Sequence, residues 1–98
     1  MKKSVQLDPR VQDFLSALAS ETRQKLLLEF MDGKEKTVGE LVADSGLQQS
    51  TVSSHLAQLQ RGGLLIRRKS GKEVYYKPDR HGISDLLARL SSYLRGCC

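Results

Sequence analysis

The sequence predicts a mainly α-helical domain with a single β-hairpin. In five segments of the 98-residue chain, apolar residues recur at intervals of three and four, as on one face of a helix. A sixth segment instead has short apolar runs on either side of a Ser-Gly pair, which is typical of a hairpin. Because no linker rich in Pro, Gly or Ser interrupts the chain, we expect one domain over residues 1–98.

Start signals locate the first three helices. Asp8 before Pro9 is typical of an N-cap followed by the first helical residue, and Ser20 can cap a second helix. Thr37 and Glu40 match a capping box, in which each side chain accepts a hydrogen bond from the backbone N–H of the other residue. We expect these three helices over about 9–19, 21–31 and 38–44.

A fourth helix is expected over about 48–61, after a tight turn at Gly46. Val52, Leu56 and Leu59 form its apolar stripe. At about 100° per residue, the opposite face contains only small or polar side chains and no acid. These are Ser50, Ser54, Ala57, Gln58 and Arg61. Such a face can lie against DNA, because it carries no carboxylate for the phosphates to repel.

The two remaining elements, a hairpin and a last helix, are expected over about 64–77 and 82–95. A two-residue hairpin loop at Ser70-Gly71 would place Lys69 opposite Lys72. The same register would pair Arg68 with Glu73. The hairpin tip would then be strongly cationic, and one pair of opposite charges would support the register.

The chain is basic, with 16 Lys+Arg against 11 Asp+Glu, a net charge of +5 and a pI near 9.5. Residues 61–80 hold seven Lys or Arg and only two acids, so the whole surplus lies in and beside the hairpin. A basic hairpin alone is most often a solvated surface, but this one directly follows an acid-free helix face. The order of elements matches a winged helix-turn-helix, which predicts binding to double-stranded DNA.

The stretch STVSSHLAQLQRGGLL at 50–65, followed by GKEVYY at 71–76, resembles the ArsR/SmtB family of bacterial winged-helix repressors. The resemblance covers about residues 10–95 of the chain. It implies a homodimeric transcriptional repressor that leaves its operator when it senses a metal ion, a metalloid or an oxidant. Two recognition helices in successive major grooves would fit an imperfect palindrome with half-sites about one helical turn apart.

The resemblance also implies which residues contact DNA. On the fourth helix these are Gln49, Ser50, Thr51, Ser53, Ser54, His55 and Gln58. In or beside the hairpin they are Arg67, Lys69, Lys72 and Tyr76. We interpret His55 as a phosphate or backbone contact and not as a metal ligand, because no second ligand lies beside it at helical spacing. The chain departs from the family at Gln48, where a Ser or Thr cap is common and Gln is a poorer cap.

The dimer interface that the resemblance implies consists of the apolar stripes of the first and last helices. Its residues are Val11, Phe14, Leu15, Leu18, Ile83, Leu86, Leu87, Leu90, Tyr93 and Leu94. The same stripes are also candidates for the core of one chain. Both roles are compatible, because a short chain buries only part of its apolar surface by itself.

Most effector sites of the family lack their ligands in this chain. The Cys-x-Cys site of arsenical and cadmium sensors corresponds to residues 42–44, and the helix-two cysteine of redox sensors corresponds to Leu28. The Asp-x-His half of a zinc site is matched at 79–81, but its remaining ligand positions are Ser92 and Arg95. Neither a serine nor an arginine can complete a tetrahedral zinc site.

The adjacent Cys97 and Cys98 are the remaining candidates for an effector site. Two thiolates can bind As(III) or another thiophilic metal ion, and this is the effector we expect. Thiol oxidation is an alternative, which would proceed through sulfenic acid or link two subunits because a disulfide between neighbours in sequence is strained. A third alternative is that the pair has no sensing role.

Other function classes are less well supported. A winged-helix module could instead dock an acidic protein on the surface formed by its basic hairpin and its fourth helix. We expect no enzyme, because the sequence contains no Cys/His, Ser/His or paired carboxylate arrangement with suitable spacing. The chain has neither an apolar run long enough to span a membrane nor an apolar signal core after Lys2-Lys3, so we expect a cytoplasmic protein.

Overall fold

Five helices and a small antiparallel sheet make up residues 7–96, which are the residues that the computed structural model describes. The helices are α1 (Pro9–Leu18), α2 (Glu21–Leu28), α3 (Val38–Ser45), α4 (Gln49–Arg61) and α5 (Arg80–Gly96). The strands are β1 (Lys36–Thr37), β2 (Leu65–Ser70) and β3 (Glu73–Pro78), in the spatial order β1-β3-β2. Helices α3 and α4 form a helix-turn-helix, and β2, β3 and their loop form the wing. The predicted winged helix-turn-helix is therefore confirmed.

The first three helices begin at the caps that the sequence predicts. The Asp8 and Ser20 side chains each accept a hydrogen bond from a backbone N–H in the first turn of α1 and α2. At the start of α3, the Glu40 N–H donates to Thr37 Oγ1 at 3.1 Å, and the Thr37 N–H donates to Glu40 Oε1 at 2.9 Å. Both halves of the capping box are thus formed.

Helix α2 ends at Leu28, about three residues earlier than its apolar pattern predicts. Beyond it, the N–H groups of Glu29, Phe30 and Met31 donate to carbonyls three residues back. This tighter winding changes which side chains face inward. Phe30 still enters the core at 1% exposure, whereas Met31 is 74% exposed.

Helix α4 lies at the centre of the core. Val52, Leu56 and Leu59 are completely buried, as the apolar stripe predicts, and α4 packs against α1, α2, α3 and β2. The other buried apolar residues are spread over the described chain: Val11, Phe14, Ala17, Leu26, Phe30, Leu41, Leu64, Leu65, Tyr76 and Leu86. Each fully buried aliphatic or aromatic side chain stabilises the fold by about 1.5–3 kcal/mol. The packing on one side of α4 fixes which side of this helix faces solvent.

The predicted register of the wing is wrong, because the loop lies one residue further along the chain than expected. Ser70 lies opposite Glu73 and Arg68 lies opposite Tyr75, so the two-residue loop is Gly71-Lys72 and not Ser70-Gly71. Gly71 has φ +60°. A two-residue hairpin loop favours positive φ at its first position, and glycine adopts it without the steric cost that Ser70 would incur. Arg68 and Glu73 are therefore not partners across the strands.

Strand β1 was not predicted from the sequence. Its residues Lys36 and Thr37 pair with Tyr76 and Tyr75 of β3, which extends the hairpin to three strands. The strand is only two residues long and follows a charged segment, so it carries no period-two pattern that could be recognised. The backbone of β1 leads directly into α3 and so connects the sheet to the helix-turn-helix.

Helix α5 begins at Arg80, about two residues earlier than predicted. Asp79 sets this start, because its Oδ1 accepts a hydrogen bond from the Gly82 N–H at 2.9 Å and its carbonyl accepts from the Ile83 N–H at 2.8 Å.

None of the helices within residues 7–96 combines the length and the apolar character needed to cross a membrane.

Candidate nucleic-acid interface

The side of α4 that faces away from the core is open to solvent. Ser50, Ser54 and Arg61 are exposed there, and Ala57 and Gln58 are half-buried at its edges. The helix contains no acidic residue, so no carboxylate of its own would repel a phosphate. The predicted polar face is therefore accessible.

The first turn of α4 and the loop of the wing border one groove of about 460 Å³. The groove brings together Gln49 and Ser53 of α4 with Lys72 of the wing, three of the residues expected to contact DNA. The other lining residues come from α3 and the wing: Val38, Gly39, Val42, Glu73 and Val74. Gln48 makes no side-chain cap hydrogen bond, so it leaves the first N–H groups of α4 without a capping acceptor.

The wing carries three exposed cations among the residues expected to contact DNA. Arg67 and Lys69 lie on β2, and Lys72 lies in the loop. None of the three forms an ion pair with an acid within residues 7–96. Their charges are therefore available to a polyanion.

Arg68, in contrast, is held by other residues of the chain. Its Nε and Nη2 donate to Glu35 Oε2 and Oε1 at 3.0 and 2.9 Å, and its guanidinium lies 4.6 Å from the Tyr75 ring centroid. The hydrogen bond with Arg68 lowers the pKa of Glu35, and the same bond raises the pKa of Arg68. No sequence pattern indicated this pair, because 33 positions separate the two residues. Arg68 therefore braces the wing and is not a free cation.

Tyr76 is not a surface residue, which corrects its assignment as a DNA contact. Its side chain is only 5% exposed and belongs to the hydrophobic core. Neighbouring residues on a strand point to opposite faces, so the exposed Lys77 and the buried Tyr76 lie on different sides of β3. The aromatic ring stabilises the wing from inside.

Thr51, His55 and Gln58 lie half-buried on the flank of α4. His55 Nδ1 lies 3.4 Å from Nη1 of Arg23, a residue of α2 that the sequence did not indicate as functional. Gln58 and Arg61 border a small groove beside α1, of about 130 Å³, which is also lined by Asp13, Ser16, Ala17 and Gly62. The C-terminal end of α4 therefore lies close to Asp13, and its N-terminal end shares a groove with Glu73 of the wing.

The residues predicted for the dimer interface fall into two groups. Val11, Phe14 and Leu86 are buried in the core of the chain itself, so they offer no surface to a partner, and their assignment is corrected to core residues. The accessible members of the set are Leu15, Leu18, Ile83, Leu87, Leu90, Tyr93 and Leu94. Leu18, Ile83 and Leu87 line an apolar groove of about 370 Å³ together with Leu27 and Met31 of the α2 region.

The candidate effector residues Cys97 and Cys98 lie outside the described residues. Within residues 7–96, no cluster of three or more His, Cys, Asp or Glu side chains is arranged to hold a metal ion. Asp79, which matched half of a zinc site in the sequence, uses its carboxylate to cap α5.

Comparisons with known proteins point to one group of regulators. A family model described as "Bacterial regulatory protein, arsR family" matches residues 20–67, which include the helix-turn-helix. The transcriptional activator HlyU of Vibrio cholerae is 44% identical over 62 residues, which are 63% of this chain and 56% of HlyU. The arsenic resistance transcriptional regulator ArsR2 of Pseudomonas putida is 37% identical over 65 residues, which are 66% of this chain and 56% of ArsR2.

A solved structure extends the similarity to the fold. The crystal structure of a possible transcriptional regulator for arsenical resistance superposes with a TM-score of 0.70 at 36% identity, and the match covers 83% of each chain. The matched part of this chain spans little more than half the length of HlyU and ArsR2.

Proposed function

This chain belongs to the arsR family of bacterial regulatory proteins, and we propose that it is a homodimeric repressor of transcription that binds double-stranded DNA. In this proposal α4 is the recognition helix and enters the major groove. The wing contacts the adjacent phosphate backbone through Arg67, Lys69 and Lys72.

The groove between α4 and the wing is the observation that carries this proposal. Gln49 and Ser53 of α4 line it together with Lys72 and the acidic Glu73 of the wing. A Gln amide can donate to and accept from adenine, a hydroxyl can contact a base or a phosphate, and an ammonium group binds phosphate. One surface thus combines groups that read sequence with a group that holds the backbone.

Dimerisation is supported by apolar surface that one chain leaves uncovered. Leu15, Leu87 and Tyr93 are 37%, 50% and 37% exposed on α1 and α5. A second copy that covers these residues would remove them from water at a gain of about 25 cal/mol per Å². A symmetric dimer presents two α4 helices, which suits two half-sites about one helical turn apart.

DNA binding can be tested with a fluorescently labelled duplex of about 30 bp that the wild-type protein selects from a randomised pool. For roughly 6–10 phosphate contacts, affinity should fall about 10³- to 10⁵-fold between 50 and 200 mM salt. The Lys69→Ala/Lys72→Ala variant should bind more weakly, with a shallower dependence on salt. The log–log slope should decrease by about 0.9 for each phosphate that the variant no longer neutralises.

The matched control for this variant is Lys34→Ala/Arg95→Ala, which removes the same charge from exposed sites outside the wing and α4. It should retain most of the affinity and the salt dependence. The proposal is wrong if the wild-type protein fails to bind duplex DNA at low salt. It is also wrong if both variants lose affinity to the same extent, because general charge and not the wing would then hold the DNA.

For the effector, we propose a thiophilic metalloid or metal ion bound by Cys97 and Cys98, with As(III) as the probe. ArsR2 of Pseudomonas putida is an arsenic resistance regulator, which supports the choice of arsenite. Arsenite should release the labelled duplex from the wild-type protein but not from Cys97→Ser/Cys98→Ser. An unchanged response in the variant would exclude the dithiol site. Release by hydrogen peroxide but not by arsenite would favour thiol oxidation instead.

A further inference from the structure

We propose that Arg23 is a positioning residue that holds His55 in the tautomer with its hydrogen on Nε2, so that the ring donates a hydrogen bond to a backbone phosphate of DNA. This inference rests on the proposed DNA-binding function and specifies how the flank of α4 takes part in it. It gives α2 an indirect role in DNA binding, because Arg23 belongs to α2 and acts through His55 of α4.

The Arg23 guanidinium is fixed at the end of α1. Its Nε donates to the Ala17 carbonyl at 2.7 Å, and its Nη2 donates to the Ser16 carbonyl at 3.1 Å. Both carbonyls lie in the last turn of α1, and the Ser16 carbonyl also accepts a hydrogen bond from the Ala19 N–H at 3.2 Å. Two hydrogen bonds to backbone hold the planar guanidinium in one orientation, and the third nitrogen, Nη1, then lies 3.4 Å from His55 Nδ1.

The chemistry of this contact determines where the imidazole hydrogen lies. A guanidinium group can only donate hydrogen bonds, so Nδ1 of His55 must accept and cannot carry a hydrogen. The neutral ring therefore carries its hydrogen on Nε2. Among residues 7–96, no acceptor is hydrogen-bonded to this Nε2–H group. The donor remains available to a ligand.

A backbone phosphate fits this donor better than a base edge. His55 is half-buried and lies between the buried stripe of α4 and the exposed Ser54, on the flank of the helix. When a helix lies in the major groove, its outward face meets the bases and its flanks approach the phosphates at the groove walls. A phosphate oxygen is an ionised acceptor, which makes the hydrogen bond stronger than one between neutral groups.

Two substitutions at His55 distinguish the role of Nε2 from that of Nδ1. His55→Gln places an amide N–H near the position of Nε2, and His55→Asn places an amide oxygen near Nδ1 but no donor near Nε2. In anisotropy titrations with the selected duplex, we expect His55→Gln to bind within about threefold of wild type. We expect His55→Asn to bind about ten- to hundredfold more weakly, because it lacks the hydrogen bond to a charged acceptor.

Arg23 is tested by a double-mutant cycle. Arg23→Lys keeps the positive charge but cannot reach both α1 carbonyls and the ring at once. It should weaken DNA binding about three- to tenfold in the wild-type background and by less than about twofold in the His55→Gln background, since glutamine has no tautomer to fix. Its effect on the melting temperature should be equal in both backgrounds, because the hydrogen bonds to the α1 carbonyls are disrupted in each.

The inference is overturned if His55→Asn binds as tightly as wild type, or if His55→Gln binds as weakly as His55→Asn. It is also overturned if Arg23→Lys costs the same affinity in both backgrounds, which would indicate a structural role for Arg23 alone. Titrations are made well below each variant's melting temperature, as measured by circular dichroism. Failure of the wild-type protein to bind any duplex would instead refute the proposed function.

Discussion

Arg68 and Glu35 form a two-point ion pair, with Nε–Oε2 and Nη2–Oε1 distances of 3.0 and 2.9 Å. Arg68 belongs to β2 and Glu35 precedes β1, so the pair spans the intervening strand β3, where Tyr75 stacks against the guanidinium. The wing is thereby joined to the segment that leads into α3. A wing held in place before binding loses less conformational entropy when it contacts a ligand.

Loss of this ion pair should loosen the wing without unfolding the domain. In Glu35→Gln, amide hydrogens of β2 and β3 should exchange about two- to fivefold faster, a small effect because both side chains are partly exposed. Hydrogen exchange measured by NMR tests this expectation. Glu73→Gln is the matched control, since Glu73 lies in the same sheet without an ion pair in the described chain. Equal acceleration in both variants would contradict a bracing role for Glu35.

Acid should destabilise the domain through specific carboxylates. The hydrogen bond from Arg68 lowers the pKa of Glu35, and the backbone hydrogen bond from Thr37 lowers the pKa of Glu40. A carboxyl group whose pKa is lowered by folding adds stability above its unfolded pKa and loses it as the pH falls through the folded pKa. We therefore expect the melting temperature to decline as the pH falls below about 4.

Circular dichroism melts of Glu40→Gln provide the test of this pH dependence. The variant should be less stable than wild type at neutral pH, and its melting temperature should decline less steeply in acid, because one of the linked groups is gone. Glu73→Gln should follow the wild-type curve. An equally steep decline in wild type and Glu40→Gln would show that the capping box is not linked to the acid transition.

Local contacts could be predicted from the sequence, and contacts between distant segments could not. Thr37 and Glu40 are three positions apart, so a pattern of four residues was enough to predict their mutual hydrogen bonds. The wing loop was predicted one residue too early along the chain. Its first position requires a positive φ, and Gly71, not Ser70, takes that position. Glu35 and Arg68 meet only because β1 joins the sheet, and β1 is too short to carry a pattern.

The same distinction applies within the candidate site. The period of a helix determines which residues share a face, so the exposure of Ser50 and Ser54 opposite Val52 followed from the sequence. The partner of His55 did not, because Arg23 lies 32 positions away on another helix. Tyr76 was misassigned because two adjacent tyrosines on a strand point to opposite faces, and the sequence alone left open which one faces inward.

Gly62 is required by the close approach of α1 to the end of α4. A Cβ at this position would lie 2.6 Å from Ala17 Cβ and 3.0 Å from the Asp13 carbonyl oxygen, and Gly62 has an ordinary φ of −77°. Gly62→Ala should therefore destabilise the domain by steric overlap alone, by about 1–3 kcal/mol. The melting temperature should fall by roughly 4–8 °C per kcal/mol for a domain of this size.

Gly96→Ala is the control for this substitution, because, apart from its chain neighbours and its own helix backbone, no atom of residues 7–96 lies within 4 Å of a Cβ built at Gly96. It should leave the melting temperature unchanged or raise it slightly, since alanine favours a helix over glycine. If Gly62→Ala proves as stable as Gly96→Ala, α1 can move away from α4 at no cost, and the close packing of the two helices is not needed for stability.

A charged substitution at Leu87 tests whether the chain dimerises through α5. It is 50% exposed and lines the apolar groove shared by α1, α2 and α5, so Leu87→Asp would place a charge in the proposed interface. We expect sedimentation velocity to show a dimer for wild type and a monomer for Leu87→Asp, with weaker binding of the selected duplex. Leu28→Asp provides the control, because Leu28 is 60% exposed and lines a different groove beside the α3–α4 turn. If both variants remain dimeric, or if both dissociate, the α5 face is not the specific interface.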